Sequence, residues 1–272
     1  MNVEVVRGCQ LACVGCPNAV LKPKVRCMEV ADFVRYMANV DVVRVANLRL
    51  YAFGDPLLHP HLSDILARIP ILGFQVETVE VSTNAQHTHW DDLTRAMATG
   101  VLTQLVVSCD GDGSPEDFER LRPPARWDKL LRFLHQAREL RDRLQPGLRL
   151  MTRTIATEPA HWERWRTLLR PLGWEPEFRT WIPLPQSSLA PKEPSAGGPR
   201  GLCAFQRTDD RLHVDWDGTV LPCCAHPRAG NLGNLGEERF TSIYRGDRRA
   251  GFLMKMLQSR ATMPICNVCE AY

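Results

Sequence analysis

The chain has 272 residues, of which 44% are hydrophobic and 24% are charged, and its formal net charge is +3. This composition supplies a full-sized core, and it excludes a membrane-spanning protein because no apolar run approaches ~18 residues. The first residues also lack the charged and apolar segments of a secretion signal. We therefore expect a cytoplasmic protein with no membrane partner, built from one large and one small domain.

Basic residues and cysteines are unusual in number. Arginine outnumbers lysine by 29 to 5, a bias that suits phosphate and carboxylate binding but also arises from a GC-rich genome. Ten cysteines in a cytoplasmic chain indicate metal or redox chemistry more than disulfide bonds. The spacing of the cysteines decides between these uses.

Short apolar strands alternate with amphipathic helical stretches over the first two thirds of the chain. The predicted strands are residues 3–6, 47–53, 78–84, 104–110, 148–155 and 177–182. The predicted helices are residues 30–40, 62–69, 90–98, 127–144 and 161–172. This alternation predicts an α/β fold with parallel strands, a partial (β/α)6 barrel similar to a TIM barrel, although an open sheet gives the same pattern. Functional side chains then gather at the C-terminal ends of the strands.

A stretch rich in proline, glycine and serine interrupts this pattern near residue 183. We expect a first domain at residues 1–183, a linker at 184–202 and a second domain at 203–272. Within the second domain, residues 211–224 predict a hairpin that turns at Asp217-Gly218. A helix at 248–257 precedes the last cysteines.

The first cysteine group follows the first predicted strand directly. Cys9, Cys13 and Cys16 form the pattern C-x3-C-x2-C. Three thiolates can hold three irons of a 4Fe-4S cluster and leave the fourth iron open to another ligand. The alternatives are chance clustering or a zinc site, which would want a fourth ligand nearby where none is obvious.

This spacing, placed after the first strand of a β/α repeat, resembles the radical S-adenosylmethionine (radical SAM) superfamily. The resemblance implies that S-adenosylmethionine chelates the open iron. It also implies that the cofactor is cleaved to a 5′-deoxyadenosyl radical, which abstracts hydrogen from a substrate. An electron donor such as flavodoxin or ferredoxin would supply the electron.

Two further strand ends are similar to the same family. The stretch FGDP stands where the family usually has Gly-Gly-Glu-Pro, so the resemblance implies a close backbone approach at Gly54 and a contact from Asp55 to the methionyl ammonium. The side chain of Asp55 is shorter than the glutamate usual in the family, so it reaches less far toward the ammonium group. Ser82 and Asn84 stand where similar proteins contact the ribose of the cofactor.

The segment SCDGDGSPEDFERLR, residues 108–122, is similar to a family segment that precedes an arginine bound to the methionine carboxylate. By position the resemblance selects Ser108 and Arg120, with Arg122 as the second choice. The family often has an aromatic residue before the third cysteine, but this chain has Gly15, so that adenine contact is missing.

Cys203 is followed by Gly218, then by Cys223 and Cys224, and finally by Cys266 and Cys269. This arrangement resembles the auxiliary-cluster domain called twitch, a shortened relative of the SPASM domain. The resemblance implies one further 4Fe-4S cluster, with Cys224 as the alternative to Cys223, while a tetrahedral zinc site remains the other possibility. Cys27 and Cys109 are expected to be structural. The implied cluster ligands are Cys203, Cys223, Cys266 and Cys269.

The implied activity is that of an oxidoreductase or isomerase, with Arg153 and Arg179 as candidate catalytic residues beside Thr154 and Trp181. The substrate is either a sugar or aminocyclitol-like small molecule or a nucleotide or nucleobase, including a modified DNA base. Nucleic acid is suggested only by the arginine excess and by several tryptophans. A peptide-modifying maturase and a zinc-binding interaction protein are the alternatives.

Overall fold

The computed structural model describes residues 1–189, 199–207 and 211–270. Strands and helices alternate over the larger part of the chain, as the sequence predicts. The strands are β1 (Asn2–Val3), β2 (Val6–Arg7), β3 (Arg26–Cys27), β4 (Arg44–Arg49), β5 (Gln75–Thr83), β6 (Gln104–Ser108), β7 (Arg149–Ile155), β8 (Glu175–Arg179), β9 (His213–Val214), β10 (Thr219–Leu221) and β11 (Gly233–Asn234). The helices are α1 (Asn18–Leu21), α2 (Val30–Ala38), α3 (Leu62–Arg68), α4 (Trp90–Ala98), α5 (Pro115–Leu121), α6 (Trp127–Leu144), α7 (Pro159–Leu169), α8 (Phe240–Arg245) and α9 (Asp247–Ser259).

The main sheet has the strand order β11-β10-β9-β1-β4-β5-β6-β7-β8 within the described residues. The run from β1 through β4 to β8 is parallel throughout, which confirms the predicted α/β fold. No pairing joins β8 to β11 in the part of the chain that the structure describes, so the barrel is partial.

The two faces of this sheet differ in polarity. On one face, residues such as Val81, Leu105 and Val107 are fully buried and belong to the same core as the helix residue Leu93. On the other face lie charged side chains, among them Glu80 of β5. The polar face is the inner wall of the partial barrel.

The C-terminal hairpin completes the first sheet instead of forming a separate one. β9 and β10 pair in antiparallel fashion around the predicted turn, where Gly218 has φ +83°. β9 then pairs in parallel with β1, so that His213 lies beside Asn2. The predicted domain boundaries remain a prediction, and part of the predicted linker, residues 190–198, lies outside the described residues.

Two strand boundaries differ from the prediction for physical reasons. β4 is Arg44–Arg49 and not 47–53, because its pairing with β5 ends at Arg49 opposite Glu80. After it, Leu50 is buried and donates to the carbonyl of Glu80 at 2.9 Å, and residues 51–53 are partly buried. The first predicted strand is two strands, because the chain leaves β1 at Glu4 and pairs β2 with β3.

No helix in the described ranges combines the length and the apolar character that crossing a bilayer requires.

Candidate functional site

The first cysteine group lies on a loop between β2 and α1. The loop is held by backbone hydrogen bonds to the segment after α5: Ala12 donates to the Pro123 carbonyl at 2.7 Å, and Val14 donates to the Leu121 carbonyl at 2.8 Å. Three partly buried thiols therefore share one clamped loop, and they are those of Cys9, Cys13 and Cys16.

Burial makes these thiols poor acids. It raises the pKa of Cys9 to about 12 and that of Cys16 to about 11, and it raises the pKa of Cys13 as well. Metal ligands must be deprotonated, so this donor set needs a strongly positive group among the sulfurs. The loop therefore fits an iron-sulfur cluster.

Arg122, the second choice from the sequence, is the arginine that lies against the cysteine loop. It is buried, it forms an ion pair with Asp110, and its charge lowers the pKa of Cys13 against the larger effect of burial. Arg120 instead is 66% exposed and pairs with Asp117 within α5. The contact of Arg120 with the methionine carboxylate therefore stays a prediction. The position of Arg122 against the cysteine loop favours Arg122 for this contact.

Asn84 and Asp55 join the cysteine loop to the end of β5. The Asn84 side-chain amide donates to the sulfur of Cys9 at 3.3 Å. The Asp55 carboxylate accepts from the backbone of Asn84 at 2.8 Å, from the Thr83 hydroxyl at 3.0 Å and from the backbone of Leu57 at 2.9 Å. With both oxygens engaged, Asp55 braces the site, and its contact with the methionyl ammonium is still an expectation.

Gly54 makes its close backbone approach to the chain itself. A Cβ added there would lie 1.7 Å from the Val6 carbonyl oxygen. The Gly54 amide donates to the buried carboxyl of Glu4 at 2.8 Å, and the Phe53 amide donates to the same oxygen at 3.1 Å. Glu4 is a site residue that the prediction missed, although a lone carboxylate inside the apolar stretch VEVV could have signalled it.

Ser82 and Ser108 occupy the inner wall at the ends of β5 and β6. Both are partly exposed, and their hydroxyls make no hydrogen bond with the residues that the structure describes. These two positions therefore present polar groups on the inner wall, and their contact with the cofactor stays a prediction.

A charged network covers the inner wall below these strand ends. Arg153 donates to Glu80 at 2.9 Å, to the Tyr51 hydroxyl at 2.7 Å and to Glu177 at 3.1 Å, while Arg179 pairs with Glu177. The candidate catalytic residues Arg153 and Arg179 are thus brought together. Thr154 points to the opposite, fully buried face.

A cleft of about 270 Å3 opens where β1, β4 and β9 end. Gly8 at the start of the first cysteine loop lines one side, and Pro227, soon after Cys223 and Cys224, lines the other. The cleft therefore borders both cysteine-bearing segments, although its lining includes none of the described cysteines.

The walls of this cleft are basic and aromatic. Lys24, Arg26 and Arg228 line it and form no ion pair with any acidic side chain in the described ranges, while Arg7 is paired with Asp215 at 3.1 Å. The Arg26 guanidinium lies 5.5 Å from the ring centre of Trp216, whose indole nitrogen is buried without a hydrogen-bond partner. These cleft residues, too, were missed, because they come together only through the pairing of β9 with β1.

Two carboxyl groups lie close together beside the cleft: Glu4 is part of its lining, and Asp215 is paired with Arg7. Burial and then the charge of Asp215 raise the pKa of Glu4, and burial raises that of Asp215. The pair therefore retains a proton well above the ordinary pKa of a carboxylic acid.

The second cysteine group also converges on one buried cavity. Around it lie the backbone carbonyls of Cys266 and Cys269, which accept from the guanidinium of Arg260 at 3.2 and 3.1 Å. Cys224, in contrast, is not part of the cavity lining. The four thiols that line the cavity are those of Cys203, Cys223, Cys266 and Cys269.

Among the described residues, no three side chains of His, Cys, Asp or Glu converge closely enough to ligate a single metal ion. The donor set of each cysteine group is made of thiols, and each thiolate of a 4Fe-4S cluster binds a different iron.

Solved structures share this fold. BtrN in complex with AdoMet and 2-DOIA is 17% identical, with a TM-score of 0.60 over 99% of this chain and 91% of BtrN. Native anSMEcpe with bound AdoMet is 12% identical, with a TM-score of 0.66 over 99% of this chain and 87% of anSMEcpe. At these identities the likeness concerns the fold alone. No curated protein sequence matches the chain.

Family comparison assigns both parts of the chain. The iron-sulfur cluster-binding domain SPASM matches residues 203–270, which include all four cysteines of the second group. The radical SAM superfamily matches residues 3–148, more than half of the 272 residues. The chain therefore belongs to the radical SAM superfamily, and it is an enzyme whose cofactors are S-adenosylmethionine, a 4Fe-4S cluster and an auxiliary iron-sulfur cluster.

Proposed function

We propose that this enzyme acts on a phosphate-bearing substrate of the nucleotide class, either a free nucleotide or a base within nucleic acid. The reaction is an oxidation or a rearrangement that begins with hydrogen abstraction. The observation that carries the proposal is the basic cleft that borders both cysteine-bearing segments.

The charge of the cleft selects among the candidate substrates. Lys24, Arg26 and Arg228 leave an uncompensated positive field that attracts phosphate. An aminocyclitol carries protonated amines, which this field would repel. Guanidinium groups also match phosphate oxygens geometrically, and an indole such as that of Trp216 can stack on a base.

The roles of the site residues follow from their positions. Cys9, Cys13 and Cys16 would hold the first cluster, and Ser82 and Ser108 would face the bound cofactor. When bound, the cluster and S-adenosylmethionine supply the 5′-deoxyadenosyl radical. A low-potential donor such as flavodoxin or ferredoxin would deliver the electron.

Arg122 would supply positive charge beside Cys13, and the carboxyl pair of Glu4 and Asp215 would hold a proton beside the cleft. Arg153 and Arg179 would orient the substrate on the inner wall. The four cysteines of the second group would hold the auxiliary cluster.

The test uses the anaerobically reconstituted enzyme with dithionite and S-adenosylmethionine, and it measures 5′-deoxyadenosine by mass spectrometry. A nucleotide or a short oligodeoxynucleotide is expected to raise its formation, and an aminocyclitol is not. Formation that no nucleotide stimulates would refute the substrate class, and no formation at all would contradict the activity.

A charge reversal in the cleft tests the binding site itself. The triple variant Lys24→Glu, Arg26→Glu, Arg228→Glu is expected to weaken oligonucleotide binding by more than 10-fold and to reduce its salt dependence. The matched control is Lys129→Glu, Arg143→Glu, Arg245→Glu, which reverses three exposed cations elsewhere. Equal binding by both triple variants would remove the cleft from the proposal.

A further inference from the structure

The segment of residues 181–189, here called the strap, leaves β8 and lies on the first cysteine loop. A Cβ added at Gly15 would be 2.8 Å from the Trp181 ring and 3.2 Å from a methyl group of Leu189. The Gly15 amide also donates to the Ser188 hydroxyl at 3.3 Å. Because Gly15 directly precedes Cys16, the strap covers the loop between two of its thiols.

The same strap reaches the second cysteine group. Leu184 packs against the small buried cluster that contains Cys223 and Cys269. Leu184 is the third residue after Trp181, and an extended chain covers at most about 10 Å over that length. A short piece of chain therefore contacts both cysteine groups.

The strap has internal structure that makes it a rigid segment. Pro185 and Ser187 are buried, and the Ser187 amide donates to the Leu184 carbonyl at 3.2 Å. A displacement at one end is therefore transmitted to the other end more readily than in a solvated linker.

We propose that the strap positions the two iron-sulfur sites relative to each other, with Trp181 as the positioning residue at the first site and Leu184 at the second. The inference rests on the radical SAM assignment and not on the substrate class. Exposure to solvent and nearby hydrogen bonds influence the reduction potential of a cluster, so each end of the strap also affects the centre that it covers.

Each variant is measured at the iron-sulfur site that the altered residue does not contact. In the reconstituted holoenzyme, Leu184→Ala is expected to weaken S-adenosylmethionine binding at the first site by at least about 5-fold, the low end of coupling between sites. Trp181→Ala is expected to shift the electron paramagnetic resonance spectrum of the auxiliary cluster, recorded in a Cys13→Ala background. Trp181→Phe should restore most of the wild-type behaviour.

The matched control is Trp162→Ala, which removes an indole that stacks on Phe178 and is outside the strap. This variant should leave both readouts unchanged. If each strap variant alters only the centre that it touches, or if Trp162→Ala gives the same changes, the strap does not position the two sites.

A double-mutant cycle tests the contact itself and does not depend on substrate. Gly15→Ala should impair S-adenosylmethionine binding strongly in the wild-type background, because the new methyl group meets the Trp181 ring and because Gly15 has φ +86°, which alanine rarely adopts. Removing the Trp181 ring relieves only the first of these two costs. When Trp181 is already alanine, the same change should weaken S-adenosylmethionine binding less, by a factor of about 3 or more. Additive effects of the two changes would overturn the assignment of Trp181. Failure of dithionite to drive any cofactor cleavage in the wild type would instead contradict the enzyme activity.

Discussion

Arg122 and Asp110 form a buried ion pair directly behind the first cysteine loop. Each side chain is 8% exposed, and Asp110 also accepts from the Ile155 amide at 3.2 Å. The pair therefore ties the ends of β6 and β7 to the loop that carries Cys13.

Removing one partner of this pair should be costly. Arg122→Gln leaves the Asp110 carboxylate buried without its counter-charge, and the expected loss is about 3–5 kcal/mol of unfolding free energy. Urea denaturation measures the loss, and iron analysis shows whether the loop still retains its cluster. Arg120→Gln is the informative comparison: if it weakens S-adenosylmethionine binding more than Arg122→Lys does, the arginine favoured by sequence position binds the cofactor.

Glu4 should make stability depend on pH. Burial and the neighbouring Asp215 raise its pKa from 4.5 to about 8, so the folded chain binds a proton that the unfolded chain releases. The stabilisation is complete below pH 4.5 and is lost as the pH rises through about 8. Glu4→Gln keeps an acceptor for the Gly54 amide and should flatten this dependence in urea denaturation between pH 5 and pH 8.5. An unchanged slope would show that Glu4 is ionised in the folded protein.

The adjacent cysteines Cys223 and Cys224 should behave differently. Cys223 lines the same cavity as the other three cysteines of the second group, and Cys224 does not. Cys223→Ala is therefore expected to lose about four irons per chain after reconstitution, whereas Cys224→Ala keeps them. Iron and sulfide analysis checks this, and the reverse result would exchange the two ligands.

Gly54 should not tolerate a side chain. The methyl group of Gly54→Ala would meet the Val6 carbonyl oxygen at 1.7 Å, so the backbone must move, at a cost of about 3 kcal/mol or more. Gly73→Ala is the matched control, because a Cβ there has no neighbour within 4 Å. Thermal unfolding of the two variants separates them, and equal melting temperatures would contradict the close packing of Gly54.

The helices and the cysteine pattern were predictable because their signals are local. Residues 127–144 were expected to be helical and form α6 with the same bounds, since a long amphipathic period specifies such a helix. The bounds of β4 were not predictable, because the apolar residues after Arg49 fit a strand and a loop equally well.

The composition of the cleft could not be predicted, because it depends on contacts between distant parts of the chain. Trp216 reaches the β2–β3 hairpin only through the pairing of β9 with β1, more than 200 residues away in sequence. The sequence could not decide between Arg120 and Arg122 for a similar reason. Both arginines lie near the end of α5 in the sequence. Which of them points toward the cysteine loop depends on the turn that follows the helix.

The pairing of β1 with β9 also orders events during synthesis. β1 is translated more than 200 residues before its neighbour on one side, His213–Val214. Until then the nascent chain carries an unpaired strand edge beside its first cysteine loop, a species prone to intermolecular pairing. Chaperones and the cluster-assembly machinery therefore meet an incomplete sheet until β9 has been translated.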